Sequence, residues 1–70
     1  MHKLLQEYAK YYILEGLKKL PEDCQYTFKL LYSHKNTSRS LEEIVRGLPE
    51  EKLDHAISQV ESSLNKLIPS

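Results

Sequence analysis

Tryptophan is absent from this 70-residue chain, and cysteine, methionine and phenylalanine occur once each. The single cysteine, Cys24, excludes a disulfide within the chain, and a lone reduced thiol suits the cytosol. His2, His34 and His55 fall at no ligand spacing, so no metal is expected. Long apolar runs are missing too. The longest, Tyr11 to Leu14, is far short of the roughly 18 residues a spanning helix needs. The N-terminus lacks a basic region followed by an apolar stretch and a small-residue cleavage site. The expectation is a cytoplasmic protein with no membrane contact. Only two glycines are present, with no Asn-Gly or Asp-Gly turn, which removes the usual signals of a β-hairpin. Ten bases balance ten acids, and that neutrality weighs against a dedicated nucleic-acid binder.

These absences narrow how the chain can be stable. A domain this small buries only about 60% of the surface that its unfolded chain exposes. Without a disulfide or a metal, tight helix packing or self-association has to supply the rest. The charges are unevenly spread. Residues 1–40 carry seven bases and four acids, and residues 41–70 carry three bases and six acids. Either the two halves attract each other within one fold, or the dipolar surface orients two copies.

Four helices can be drawn on a single domain. The first covers about residues 3–19 and is rich in Leu, Lys, Glu and Gln, which are good helix formers. Gly16 is expected to weaken it by about 1 kcal/mol relative to alanine. Pro21 closes it and fits the first position of a second helix over about residues 21–33, with Glu22 and Asp23 matched to the dipole. Cys24, Phe28 and Leu31 form one stripe of that helix. His34 to Arg39 is a polar loop with no apolar anchor, expected to be the most mobile internal segment. Ser40 and Glu43 form a capping box for a short helix over about residues 41–46, and Gly47 is expected to end it in the left-handed conformation. A fourth helix runs over about residues 49–67. Its Leu53, Ile57, Val60, Leu64 and Leu67 follow heptad spacing, which suits packing within the fold or, as a second possibility, a self-paired coiled coil. The expected fold is all-α: a compact bundle of three longer helices and one short one, with the third and fourth in a helix-turn-helix-like arrangement. Its expected core is Leu5, Tyr12, Ile13, Leu20, Cys24, Phe28, Leu31, Leu41, Ile44, Val45, Leu48, Leu53, Ile57, Val60 and Leu64.

The first helix carries the main functional signal. At 100° per residue, Leu5, Ala9, Tyr12, Ile13 and Leu20 share one face, while Leu4, Tyr8, Tyr11 and Leu14 fall mostly off it. The helix is therefore apolar around more than half its circumference. Either the other helices wrap it, or the second face is an interface, a setting in which tyrosine is enriched. On the second reading Leu4, Tyr8, Tyr11 and Leu14 bind a partner: the protein itself as a homodimer, or another protein. Tyr12 and Tyr32 join that patch and Tyr26 stays outside it. The alternative is DNA binding through the fourth helix, with Lys52, His55 and Gln59 at the bases and Arg39 and Arg46 on phosphates. Glu50, Glu51 and Asp54 at the front of that helix oppose it, because a phosphate backbone repels them. No nucleophile, base and orienting group can be assembled, so no catalytic residue, cofactor or small-molecule substrate is expected. Cys24 with a histidine forms a dyad only on paper, since a cysteine on an apolar stripe is usually a small buried hydrophobe.

Two stretches, Leu20-Pro21…Gln25…Phe28-Lys29-Leu30-Leu31-Tyr32-Ser33 and Leu48-Pro49…Lys52-Leu53-Asp54…Ala56…Gln59-Val60…Ser63-Leu64, resemble small uncharacterised proteins encoded by phages and prophages of enteric bacteria. The similarity covers roughly residues 17–66. It implies a cytoplasmic accessory protein that acts by binding host or phage proteins, with no catalytic residue to carry over.

Overall fold

A computed structural model describes residues 3–33, 36 and 38–67. The described chain is helical and contains no strand. Helix α1 spans Lys3–Lys18, α2 Glu22–Tyr32, α3 Leu41–Arg46 and α4 Glu50–Leu67. Three of the six residues of the His34–Arg39 loop, at 34, 35 and 37, lie outside the described residues, and so does the expectation of mobility placed on that loop.

The helix ends follow from particular groups. Pro21 stands at the N-cap of α2, one position before the expected one, with extended dihedrals of φ −62° and ψ 161°. Its carbonyl accepts from Cys24 and Gln25 N–H at 3.1 Å. Ser40 caps α3, its Oγ accepting from Glu43 N–H at 3.2 Å. The Glu43 carboxylate stands 3.7 Å from Arg39 Nε. Gly47 ends α3 with φ −86° and ψ 0°. The left-handed turn expected there is not used, because its N–H reaches the Glu43 carbonyl at 3.1 Å without it. At the end of α1, Gln25 Nε2 reaches across from α2 and donates to the Leu17 and Leu20 carbonyls at 2.7 and 3.2 Å. The Leu17 carbonyl also accepts from Leu20 N–H at 3.1 Å, so Gln25 adds a second donor there at the helix terminus.

Helix α1 is the hub. Its main partner is α4, followed by α3 and α2, and α3 also packs on α2. The core contains Ile13, Leu17, Leu20, Phe28, Ile44, Val45, Leu48, Leu53, Ala56 and Val60, with Ala9, Leu14, Cys24, Tyr32, Leu41, Ile57 and Leu64 packed around it. Three residues expected in this core, Leu5, Tyr12 and Leu31, are exposed. In α1 the buried residues are Ile13, Gly16 and Leu17, all in its C-terminal half; Leu5 stands two turns before the first of them, and Tyr12 lies at the edge of the inner face. Gly16 is buried against α4, and a Cβ built on it would overlap Val60 Cγ1, so the two helices come close at a position without a side chain. Leu31 is exposed because α2 and α4 both lean on α1 without closing on each other.

The molecule is flat, with extents of 34 × 29 × 16 Å. Two layers of packed helices fill roughly 13–15 Å between backbone traces, so no third layer covers either side. Its surface, 5199 Å², exceeds the roughly 4,500 Å² of a monomeric protein of this mass.

Candidate functional site

The first three turns of α1, as far as Tyr12, have their large apolar and polar residues in reversed order. Gln6 and Lys10 are half-buried on the inner side, whereas Leu4, Leu5, Tyr8, Tyr11 and Tyr12 face solvent. Lys10 is drawn inward because its Nζ donates to the Arg46 carbonyl at 2.9 Å, at the negative end of α3. The polar residues therefore make the internal contacts, and the large apolar ones are left outside. Tyr8 exposes 72% of its surface, Tyr11 65%, Leu4 63% and Leu5 59%. With Tyr12, and at roughly 200 Å² per side chain, this face presents about 600 Å² of mainly apolar surface. That lies at the top of the range for the largest patch on a typical monomer, roughly 300–600 Å².

The structure brings Leu4, Tyr8 and Tyr11 together as an i, i+4, i+7 ridge lined also by Glu7. Leu5, Ala9, Tyr12 and Ile57 continue the surface toward α4. Tyr12 Oη donates to Glu61 Oε2 at 3.2 Å across that edge. The negative Glu61 carboxylate, with smaller contributions from burial and the hydrogen bond, raises the Tyr12 hydroxyl above its ordinary pKa of 10.0. Leu14, the fourth expected partner-binding residue, is half-buried against the core. It lies at the floor of a cleft of about 590 Å³ between α1 and α3, walled by Glu7, Lys10, Tyr11, Glu42 and Arg46. Tyr32 does not join the α1 face. It packs on Phe28 at a ring separation of 4.5 Å, and burial raises its hydroxyl pKa. Tyr26 is exposed, as expected.

The residues of the DNA-binding alternative are placed less favourably. Lys52, His55 and Gln59 share one exposed stripe of α4, to which Lys66 also belongs. Arg46 is held by Glu42 at 2.6 Å, and Arg39 stands against Glu43 at 3.7 Å. Each arginine therefore has a carboxylate beside the charge that a phosphate would need. Cys24 carries a free thiol on a half-buried residue, and its backbone N–H donates to Asp23 Oδ1 at 3.0 Å. Among the described residues, no three His, Cys, Asp or Glu side chains are placed to hold a metal ion, and no helix is long and apolar enough to cross a membrane.

A second concave feature was not anticipated from the sequence. A groove of about 280 Å³ runs between α2 and α4, lined by Leu20, Cys24, Phe28, Leu31, Val60 and Leu67 among others. No periodicity within one helix reports it, because it is a gap between two. The chain matches no protein-family model, no curated protein and no solved structure.

Proposed function

We propose that this protein is a non-catalytic interaction module that binds a second copy of itself through the outer face of α1, with a homodimer as the smallest assembly. The observation that carries the reading is the reversed order of the first three turns of α1. Five large apolar side chains face water where Gln6 and Lys10 face the fold. Isolated exposed leucines are ordinary, but a contiguous face of leucine and tyrosine marks a contact surface. Tyrosine serves such a face well because its ring is apolar and its hydroxyl tolerates water in the free state. In the setting that the phage and prophage resemblance suggests, the module is a cytoplasmic accessory protein, and its assembled form presents a surface to a host or phage protein.

Sedimentation equilibrium tests this reading. An interface of about 600 Å² per side is small, so association is expected at micromolar concentrations. Tyr8→Glu combined with Tyr11→Glu should leave the helix content unchanged and the protein monomeric. A wild-type protein that stays monomeric up to about 100 μM, where a micromolar dimer would be nearly complete, refutes the reading.

The second reading is DNA binding through α4. It is favoured by the shared stripe of Lys52, His55, Gln59 and Lys66, a spacing that keeps all four on one side of the helix. Its measurement is the anisotropy of a labelled random duplex at about 50 mM salt, where a phosphate-dependent binder keeps affinity that falls steeply as salt rises. No change in anisotropy removes it.

A further inference from the structure

Resting on the self-association reading, we infer that the second copy docks antiparallel on the α1 face, about a two-fold axis that passes Tyr8. Leu4 then meets the partner's Tyr11, Leu5 the partner's Tyr12, and Tyr8 the partner's Tyr8.

The face is laid out symmetrically about one residue. At 100° per residue, Leu4 and Tyr11 lie about 40–60° to one side of Tyr8, and Leu5 and Tyr12 about 40–60° to the other. The first pair borders Glu7 on the α3 side, and the second borders Ile57 of α4. Along the helix, both leucines stand about 4.5–6 Å before Tyr8 and both tyrosines the same distance after it. A two-fold contact requires that where one residue touches a second, the second touches the first. Turning a copy end over end on this face meets that requirement. It gives each of the five exposed side chains an apolar counterpart. The two faces of about 600 Å² together cover about 1,200 Å², above the roughly 1,000 Å² that a specific interface needs.

Side-chain size sets the direction. The leucines occupy one end of the face and the tyrosines the other. Antiparallel, each end of the contact stacks leucine on tyrosine, and the two axes keep one spacing within the roughly 8–10 Å of packed helices. Parallel, tyrosine stands on tyrosine at one end and leucine on leucine at the other. The longer rings then hold the helices apart, and the leucines lose contact.

Charge agrees with size. Glu15, 3.3 Å from Lys18, lies two turns beyond Tyr8 at the rim of the same surface. In a parallel pair it would face its own counterpart. Antiparallel, it lies at the first turn of the partner's α1, the positive end of a helix dipole. That turn holds no acid of its own, whereas α2, α3 and α4 each begin with two.

Thiol cross-linking tests the geometry. Every variant carries Cys24→Ala, so that each holds one thiol, and circular dichroism should show each folded. Tyr26→Cys, exposed on α2 and away from the face, measures chance collision. The proteins are held at about 100 μM, where a micromolar dimer is nearly complete, in a glutathione redox buffer, and linked dimers are read by intact mass. Tyr8→Cys is expected to bridge to itself, and Leu4→Cys to bridge to Tyr11→Cys in a mixture. Each yield should be at least about tenfold above the collision control, because paired thiols meet at about millimolar effective concentration. Alone, Leu4→Cys and Tyr11→Cys should not exceed the control. Their own copies lie about 12 and 9 Å apart along the axis, beyond the roughly 7 Å between Cα atoms that a disulfide spans. Leu4→Cys bridging to itself as well as the mixture does shows parallel copies: the geometry is overturned and the self-association reading stands. If wild type sediments as a dimer and no α1 thiol bridges better than the control, the geometry is overturned and the contact lies off α1. A wild type that stays monomeric at about 100 μM ends the self-association reading and the geometry with it.

Discussion

Replacing Gly16 with alanine sets two effects of opposite sign against each other. In an exposed helix interior the change gains about 1 kcal/mol, because glycine loses more backbone freedom on folding. Here the added Cβ would overlap Val60 Cγ1, a buried side chain on α4. Valine in a helix is confined to essentially one rotamer, so it cannot swing aside. Helix α4 must back away instead, and overpacking of this kind costs about 1–3 kcal/mol. With so rigid a neighbour the upper part of that range applies, and Gly16→Ala should destabilise the protein by about 1–2 kcal/mol. At roughly 4–8 °C per kcal/mol for a domain of this size, thermal unfolding reads the loss directly. The pairing is then isolated by a double-mutant cycle. Val60→Ala alone leaves a void and should lose about 2 kcal/mol. The double variant places the methyl added at position 16 in that void and should be more stable than the two single losses predict, by about 1 kcal/mol. Gly47→Ala is the control. Its φ of −86° suits any residue and its new Cβ would meet nothing nearer than 3.4 Å, so stability should hold or rise by up to about 1 kcal/mol. A Gly16→Ala protein that melts higher than wild type would show that α1 and α4 do not meet at this glycine, and the assignment of inner and outer faces on α1 would fall with it.

Gln25→Leu should lose about 1–2 kcal/mol in denaturant unfolding, because the Leu17 and Leu20 carbonyls at the end of α1 lose the donor that spans from α2. Ser40→Ala should lose about 1 kcal/mol by removing the oxygen that caps α3, and Ser40→Asp should largely retain that stability. Tyr12 and Tyr32 both titrate above 10.0 in the folded protein, so the folded state holds protons there that the unfolded chain releases first. Their contribution to stability is therefore complete below pH 10 and is lost as pH rises through the folded values. Tyrosinate absorbance should show part of the titration moving back toward 10.0 in Glu61→Gln, and no such movement would disconnect Glu61 from Tyr12.

Where the cause is local, the amino-acid sequence was enough to fix the structure. The all-helical class, the four helices, the bounds of α3 and the Ser40 cap follow from propensity, capping and proline chemistry, which act within a few residues. The excess of apolar surface on α1 was legible for the same reason, since helical spacing alone places those residues around the cylinder. Which stretch of that face is covered was settled by packing in three dimensions. Leu5 and Tyr12 were expected inside and are exposed, whereas Ile13, Gly16 and Leu17 further along the helix are buried. A glycine carries no apolar weight in a periodic pattern, yet it marks the point where two helix backbones can come closest. The exposure of Leu31 and the groove beside it also have a tertiary cause, because they depend on the gap left between α2 and α4, each packed on α1 and neither closed on the other. Periodicity describes one helix at a time, and a gap is a property of two.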